Sequence, residues 1–147
     1  MSIQETKKWF EAAVPAPTEE NFNVQLGCHL EEVVEMLDNL CTKQGDDTLL
    51  ARAADSLEEL SKALKNGSYK VSALRIVDHL DALTDQIVTA VGCAHMAGMD
   101  IVGALDEVNR SNFSKFEDGK PVFNEHGKIA KGRGYKAPEL EKFAGVA

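Results

Sequence analysis

The chain has 147 residues, 24 acidic and 16 basic side chains and a formal net charge of −8. This length suits one domain with a sizeable core, so residues 1–147 are interpreted as a single domain: a helical core over about 3–115 and a tail over about 116–147. An acidic chain without a basic stripe is unsuited to binding nucleic acid, which depends mainly on neutralising phosphates. No apolar run approaches the roughly 20 residues that span a bilayer, so no membrane partner is expected.

Cysteine usage and the N-terminus favour a reduced, cytoplasmic protein. Cys28, Cys41 and Cys93 are odd in number and far apart, with no CxxC pair, which is typical of small core residues. The first residues, MSIQETKKWFEAA, lack the apolar segment and the small-residue cleavage site of a secretory signal.

Apolar periodicity predicts an all-α fold. Helices are expected over residues 3–13, from Phe22 to about Cys41, from Asp47 or Thr48 to Leu64, from Val71 to about Met99 and over roughly 101–109. Thr18 is the expected N-cap of the second helix. Strand signal is limited to a possible hairpin pairing residues 120–123 with 128–130, and a short helix is expected over 138–143. The architecture is a helical bundle with an irregular basic tail.

Glu31, Glu32 and Glu35 form an acidic cluster in the second predicted helix, within HLEEVVEML. Residues three or four apart on a helix are surface neighbours, so these carboxylates repel one another. On a helical wheel they lie opposite an apolar arc that runs from Leu26 to Leu40. An ordinary solvated helix face has the same pattern, and this cluster alone favours that interpretation.

Asp78, Asp81 and Asp85 form a second acidic cluster, along the edge of the apolar arc of the fourth predicted helix. Aspartate is a mediocre helix former, so this stripe indicates a cleft as readily as a solvated face. Two such helices side by side would line a cleft with oxygen ligands, which suit Mg²⁺ or Mn²⁺ and metal-assisted phosphate chemistry. No ExxH pair indicates a di-iron centre, and no Cys/His spacing fits zinc.

The order of these motifs resembles the all-α nucleoside triphosphate pyrophosphohydrolases, which include MazG, the dimeric dUTPases and the phosphoribosyl-ATP pyrophosphohydrolases. The EExxE motif of that superfamily is matched in full by residues 31–35, EEVVE. Its second motif, ExxD, is matched at Asp85, whereas Ala82 stands at the place of the usual Glu. Either Asp81 or Asp78 is then needed to supply the missing oxygen.

Further segments resemble a phage-type branch of the superfamily. QLGCHL, beginning at Gln25, runs directly into EExxE, and EVNRSNFSKF, DGKP, GK and KG follow in order over residues 107–132. Lys and Arg concentrate in this tail, and a basic tail beside an acidic metal cleft suits triphosphate oxygens. Asn112 and Tyr135 offer hydrogen bonds to the same group.

The resemblance implies a MazG-like homodimer, or a dimer of dimers, that hydrolyses a nucleoside triphosphate to the monophosphate and pyrophosphate. It implies Mg²⁺, with Mn²⁺ as a substitute, on Glu32, Glu35 and Asp85, while Asp81 and Asp78 complete the shell and Glu31 accepts the proton of the attacking water. Gln25, Asn112, Lys115, Lys131 and Tyr135 are the expected substrate contacts. The substrate is expected to be a dNTP, with a purine such as dGTP favoured and pyrimidines open.

Ala82 keeps open a rival from another functional class. The same fold without turnover would be a helical nucleotide-sensing or dimerisation module, and loss of the usual Glu at position 82 is the feature expected of it. Pyrophosphate release from a nucleotide panel separates the two functions.

Overall fold

A computed structural model describes residues 2–125 and 129–145. Its α-helices are α1 (Ser2–Ala13), α2 (Glu19–Asp38), α3 (Thr48–Lys65), α4 (Ile76–Met96) and α5 (Ile101–Phe113), followed by a 3₁₀ turn at Glu141–Phe143. The described residues contain no strand, so the all-α class is confirmed. The expected hairpin is reduced to an isolated antiparallel bridge between Phe123 and Ile129, and Lys128 lies outside the described residues.

The chain divides into two compact units. The first comprises Met1–Pro15 and Ile76–Ala147, and carries α1, α4, α5 and the C-terminal tail. The second, Ala16–Arg75, contains α2 and α3 and is called the α2–α3 unit below. The single domain inferred from chain length stays a prediction.

Local hydrogen bonds explain where the helices depart from their expected bounds. Thr18 caps α2 as expected: its hydroxyl accepts from the Asn21 amide at 3.2 Å, and its own amide donates to the Asn21 side chain at 3.0 Å. This capping box starts α2 at Glu19, directly after the expected cap and three residues before the apolar periodicity begins at Phe22. Helix α4 begins at Ile76 rather than Val71, since the Asn23 side chain accepts from the Val71 amide (2.7 Å) and donates to the Val71 carbonyl (3.1 Å).

Helices α2 and α3 pack through a glycine. Asn23, Gly27 and Val34 are the buried residues of α2, and the Ser61 hydroxyl on α3 donates to the Gly27 carbonyl at 2.7 Å. A Cβ at position 27 would lie 2.9 Å from the Ser61 carbonyl oxygen and 2.7 Å from Cγ of Lys65. The helices therefore approach through the side of α2 marked by Gly27, and Val34 of the apolar arc is buried on the same side.

The other unit is held by contacts between α1 and the C-terminal half of α5. The Thr6 hydroxyl donates to the buried Asn109 side chain at 2.8 Å, and the Trp9 indole donates to the Asn112 carbonyl at 3.0 Å. The Trp9 ring also stacks on Phe116, with centroids 5.8 Å apart. Trp9 thus serves as a packing residue, and α5 continues to Phe113 rather than ending near 109.

Residues 136–143, called the C-terminal strap below, run back along α5. The Lys136 amide donates to the Ser114 hydroxyl at 2.9 Å, and the Glu139 amide donates to Glu107 at 2.9 Å. At the far end the Asp100 amide donates to the Phe143 carbonyl at 2.9 Å. Arg110 completes the attachment, because it bonds Glu107 through both Nε and Nη2 and the Ala137 carbonyl through Nη2.

Acid should loosen the strap before it unfolds α5. The Arg110 hydrogen bond, followed by that from the Glu139 amide, lowers the pKa of Glu107 from 4.5 to about 2. A carboxyl whose folded pKa lies below its ordinary value stabilises the fold above that ordinary value. This contribution is lost as the pH falls through the interval from about 4.5 to about 2.

Hydrogen exchange at the Glu139 amide measures this loss. We expect its protection factor to fall over that acidic interval, and Glu107→Gln to lower it already at neutral pH. Glu141→Gln, an exposed strap residue, is the matched control and should leave protection intact. Equal protection in the parent and in Glu107→Gln would contradict the assignment of Glu107 as the anchor.

No single helix among the described residues is long and apolar enough to cross a membrane. Helices α4 and α5 are long and apolar enough only when taken together, and the chain bends by 118° between them.

Candidate functional site

The EExxE carboxylates are exposed on α2. Glu31, Glu32 and Glu35 all lie at the surface, so none of them is needed for packing in the α2–α3 unit. Glu31 and Glu35 border a groove between α2 and α3. Glu32 is turned about 100° further round the helix from Glu31. Their exposure suits ligands, and also an ordinary solvated face.

The groove beside Glu31 and Glu35 has a volume of about 170 Å³ and mixed charge. Its lining residues are Glu31, Val34, Glu35, Asp38, Glu58, Ser61, Lys62 and Lys65. The Lys65 ammonium lies 2.7 Å from Glu31, and the Lys62 ammonium lies 2.7 Å from Glu58. The Lys62–Glu58 pair is exposed, and pairs of this kind contribute little stability. The Lys65 side chain is only 18% exposed, so a divalent cation that used Glu31 would displace Lys65 from a partly buried ion pair.

The aspartates of the second cluster lie on α4, in the other unit. Asp78, Asp81 and Asp85 are exposed, and their spacing makes them successive neighbours along one edge of the helix. Oxygen donors of both clusters match the chemistry that Mg²⁺ and Mn²⁺ prefer. Over residues 2–125 and 129–145, however, no group of three or more Asp, Glu, His or Cys side chains is placed to hold a metal ion. The donor chemistry fits the ion, and the ligand set stays a prediction.

Several expected substrate residues gather where α5 ends. The Lys115 ammonium donates to the Asn112 side chain at 2.8 Å and lies 5.9 Å from the centre of the Trp9 ring. The Gly132 amide donates to the Lys115 carbonyl at 3.0 Å, which brings the tail against the end of α5. A Cβ at Gly132 would lie 2.6 Å from that carbonyl oxygen, so glycine permits the approach.

Lys131 and Tyr135 flank this crossing of the tail. The Lys131 ammonium lies 4.7 Å from the centre of the Tyr135 ring, a cation–π contact that positions the charge. The Tyr135 amide donates to the Gly132 carbonyl at 3.1 Å and closes a turn. The structure thus brings Asn112, Lys115, Lys131 and Tyr135 into one region, called the basic corner below. Gln25 is exposed on α2, in the other unit.

The DGKP segment forms a tight turn beside the basic corner. Asp118 and Gly119 have φ values of 51° and 73°, the left-handed conformation that Asp-Gly pairs adopt in two-residue turns. Glu117 and Lys120 close it through reciprocal backbone bonds of 2.9 Å. Glu117 also accepts from the Arg133 amide at 2.8 Å, and this bond is the main cause of the lowered pKa of Glu117.

Sequence reasoning did not identify the structural residues that build these surfaces. Gly27 sets the distance between α2 and α3, and Glu107 with Arg110 fixes the strap. The i,i+3 spacing of Glu107 and Arg110 was a usable signal for an ion pair. Gly27 offered no comparable signal, since a helical glycine has many possible roles.

Comparisons of this chain with protein-family models, with curated proteins and with solved structures found no match.

Proposed function

We propose that this chain hydrolyses a nucleoside triphosphate between its α and β phosphates with the help of Mg²⁺ or Mn²⁺. The observation that carries the proposal is the EExxE motif, whose carboxylates are all exposed on α2. The proposal is supported by the order of the motifs, which resembles that of the all-α pyrophosphohydrolases. Asp85 stands at the final position of the ExxD motif. The proposed substrate is a dNTP, with a purine such as dGTP favoured.

The reaction requires the α2 and α4 carboxylates to meet around the same cation. In the proposed roles, Glu32, Glu35 and Asp85 hold the metal, and Asp81 or Asp78 provides the oxygen that Ala82 does not. Mg²⁺ held there would supply the positive charge that polarises the phosphate and stabilises the charge developing on its oxygens. Two copies of the chain, as a homodimer or a dimer of dimers, form the proposed assembly.

Glu31 is the proposed general base. Water attacks phosphorus, the bridging P–O bond between the α and β phosphates breaks, pyrophosphate leaves and the water proton passes to Glu31. The Lys65 ammonium lies 2.7 Å from Oε1 of this carboxylate and donates a hydrogen bond to it. In the proposed reaction this ion pair opens, so that the carboxylate can accept the water proton.

The basic corner is the proposed triphosphate contact. Lys115 and Lys131 supply positive charge, while Asn112 and Tyr135 supply hydrogen-bond groups in the same region. Charge-assisted bonds to phosphate oxygens are stronger than neutral ones. This arrangement supports phosphate binding independently of the EExxE motif, and Gln25 stays a proposed contact from α2.

The alternative is a nucleotide-sensing or dimerisation module without turnover. Two observations favour it: Ala82 replaces the usual Glu, and Lys65 already neutralises Glu31. Such a module would bind nucleotide through the basic corner and release no product.

A panel of ribo- and deoxyribonucleoside triphosphates separates these functions. With Mg²⁺ or Mn²⁺, we expect at least one of them to yield its monophosphate and pyrophosphate, and we expect chelation of the metal to abolish the reaction. Orthophosphate with a nucleoside diphosphate would reject the proposed cleavage position. Nucleotide binding without any product would favour the sensing module.

A further inference from the structure

Glu117 connects the DGKP turn to the tail where the tail crosses the end of α5. The turn follows Glu117 directly, and the reciprocal backbone bonds with Lys120 fix the backbone that carries this carboxylate. Its Oε1 accepts from the Arg133 amide at 2.8 Å, and its Oε2 lies 3.4 Å from Nη2 of the Arg133 guanidinium. One carboxylate therefore contacts both the backbone and the side chain of the same tail residue.

The stem of the Glu117 side chain also lies against the glycine of the crossing. A Cβ at Gly132 would lie 2.8 Å from Cγ of Glu117 and 3.3 Å from its Oε1. The hydrogen bond from the Arg133 amide lowers the pKa of Glu117 more than burial raises it. The carboxylate is therefore charged at neutral pH, and it holds the tail through contacts with two successive residues.

Backbone amides of the tail are used for bonds within the chain. The Gly132 amide donates to the Lys115 carbonyl at 3.0 Å, and the Lys136 amide donates to the Ser114 hydroxyl at 2.9 Å. Together with the amide that Glu117 holds, these bonds leave cationic side chains, rather than these amides, to bind an anion. The position of each cation then depends on how the backbone is held.

We propose that Glu117 is a positioning residue for the basic corner, where it holds the tail so that Lys131 stays in place beside the end of α5. The inference rests on the triphosphate contact of the proposed function, and on neither its metal nor its hydrolysis. Lys131 directly precedes Gly132 and Arg133, so release of these two residues would also release the Lys131 ammonium from its place over the Tyr135 ring. A charge that is held in position loses less conformational freedom when it binds.

The charge of Glu117 alone would have the opposite effect on anion binding. A carboxylate beside a cluster of cations repels an approaching anion, so its removal should strengthen the binding of triphosphate. If Glu117 acts by holding the tail, its removal should weaken that binding, because Lys131 loses its position. The two effects of Glu117 therefore differ in direction, which a binding measurement can detect.

Calorimetric titration of the full, metal-free chain with inorganic triphosphate measures this direction. We expect Glu117→Ala to raise the dissociation constant about 10-fold, the size of one charge-assisted hydrogen bond. Glu117→Gln keeps an oxygen that accepts from the Arg133 amide, and should bind at least as tightly as the parent. Asp118→Asn is the matched control, because it removes a neighbouring charge while Asn tolerates the left-handed turn, and it should also bind at least as tightly. Circular dichroism checks that each variant keeps its helices.

A double-variant cycle tests whether Glu117 acts through Lys131. Lys131→Gln should weaken triphosphate binding by itself, and Glu117→Ala should add little once that ammonium is absent. Hydrogen exchange at the Arg133 amide should show lost protection in Glu117→Ala and retained protection in Glu117→Gln.

Triphosphate binding by Glu117→Ala that equals or exceeds that of the parent would overturn the proposal, as would full additivity with Lys131→Gln. A parent chain that binds no triphosphate would overturn it together with the role of the basic corner. If these binding differences are found and no nucleotide is hydrolysed, only the turnover in the proposed function is rejected, so the two proposals fail separately.

Discussion

Glu35→Gln and Asp85→Asn should each lower turnover at least about 100-fold. If both side chains hold the same metal, either change removes a charged ligand. Even groups that only support a metal ligand typically contribute about 10–100-fold. Once one ligand is lost the site no longer works as a unit, so the double variant should be little worse than either single one. Initial rates of pyrophosphate release at saturating Mg²⁺ measure the effect.

Matched controls separate a shared site from general loss of negative charge. Glu59→Gln and Asp55→Asn remove exposed acids of α3 that do not line the groove, and their turnover should stay within a few-fold of the parent. If Glu35→Gln or Asp85→Asn behaves like these controls, the acidic clusters are solvated faces. Multiplicative losses in the double variant would indicate two separate roles.

Gly27→Ala should destabilise the chain although alanine is the better helix former. Replacing glycine in a helix gains up to about 1 kcal/mol. At this position the new Cβ lies 2.9 Å from the Ser61 carbonyl oxygen, and overpacking of this kind typically costs about 1–3 kcal/mol. Since α3 carries that oxygen on its backbone, α2 and α3 must separate. Urea unfolding followed by circular dichroism should show a net loss of up to about 2 kcal/mol.

Gly92→Ala is the internal control for this effect. A Cβ at Gly92, in the last quarter of α4, meets no atom within 4 Å. The helix propensity of alanine should therefore act alone and stabilise the chain by up to about 1 kcal/mol. Equal gains at both positions would show that α2 and α3 do not approach through Gly27.

The helical class was predictable from sequence because apolar spacing reports helices directly. The Thr18 cap was predictable because it depends on residues only a few positions apart. Long-range contacts were not predictable in this way. Val71 belongs to the periodic run before α4, yet hydrogen bonds to Asn23 hold it outside the helix. The apolar arc of α2 includes the buried Val34, but it did not show that Gly27 permits the close approach of α3.

The types of residue in the candidate site were predictable from the sequence. The structure adds part of their spatial arrangement. Asn112, Lys115, Lys131 and Tyr135 meet because the tail crosses the end of α5 at Gly132, a contact that spacing alone does not encode. Lys65 opposite Glu31 was also unforeseen, since the residues come from different helices. Side-chain partners across helices depend on which sides of the two helices pack together, and a wheel of one helix does not show this.

Thermal melting in Mg²⁺ and in NaCl at matched ionic strength tests most directly whether Glu35 and Asp85 share a metal. A cation that binds only the folded site at roughly 100 times its dissociation constant stabilises the fold by about 2.7 kcal/mol. For a chain of this size, that corresponds to a rise of several degrees in Tm. We expect this rise in Mg²⁺ alone, and a much smaller rise in Asp85→Asn. Equal shifts in NaCl and Mg²⁺, unchanged by Asp85→Asn, would contradict the shared metal site, because screening of surface charge would then explain them.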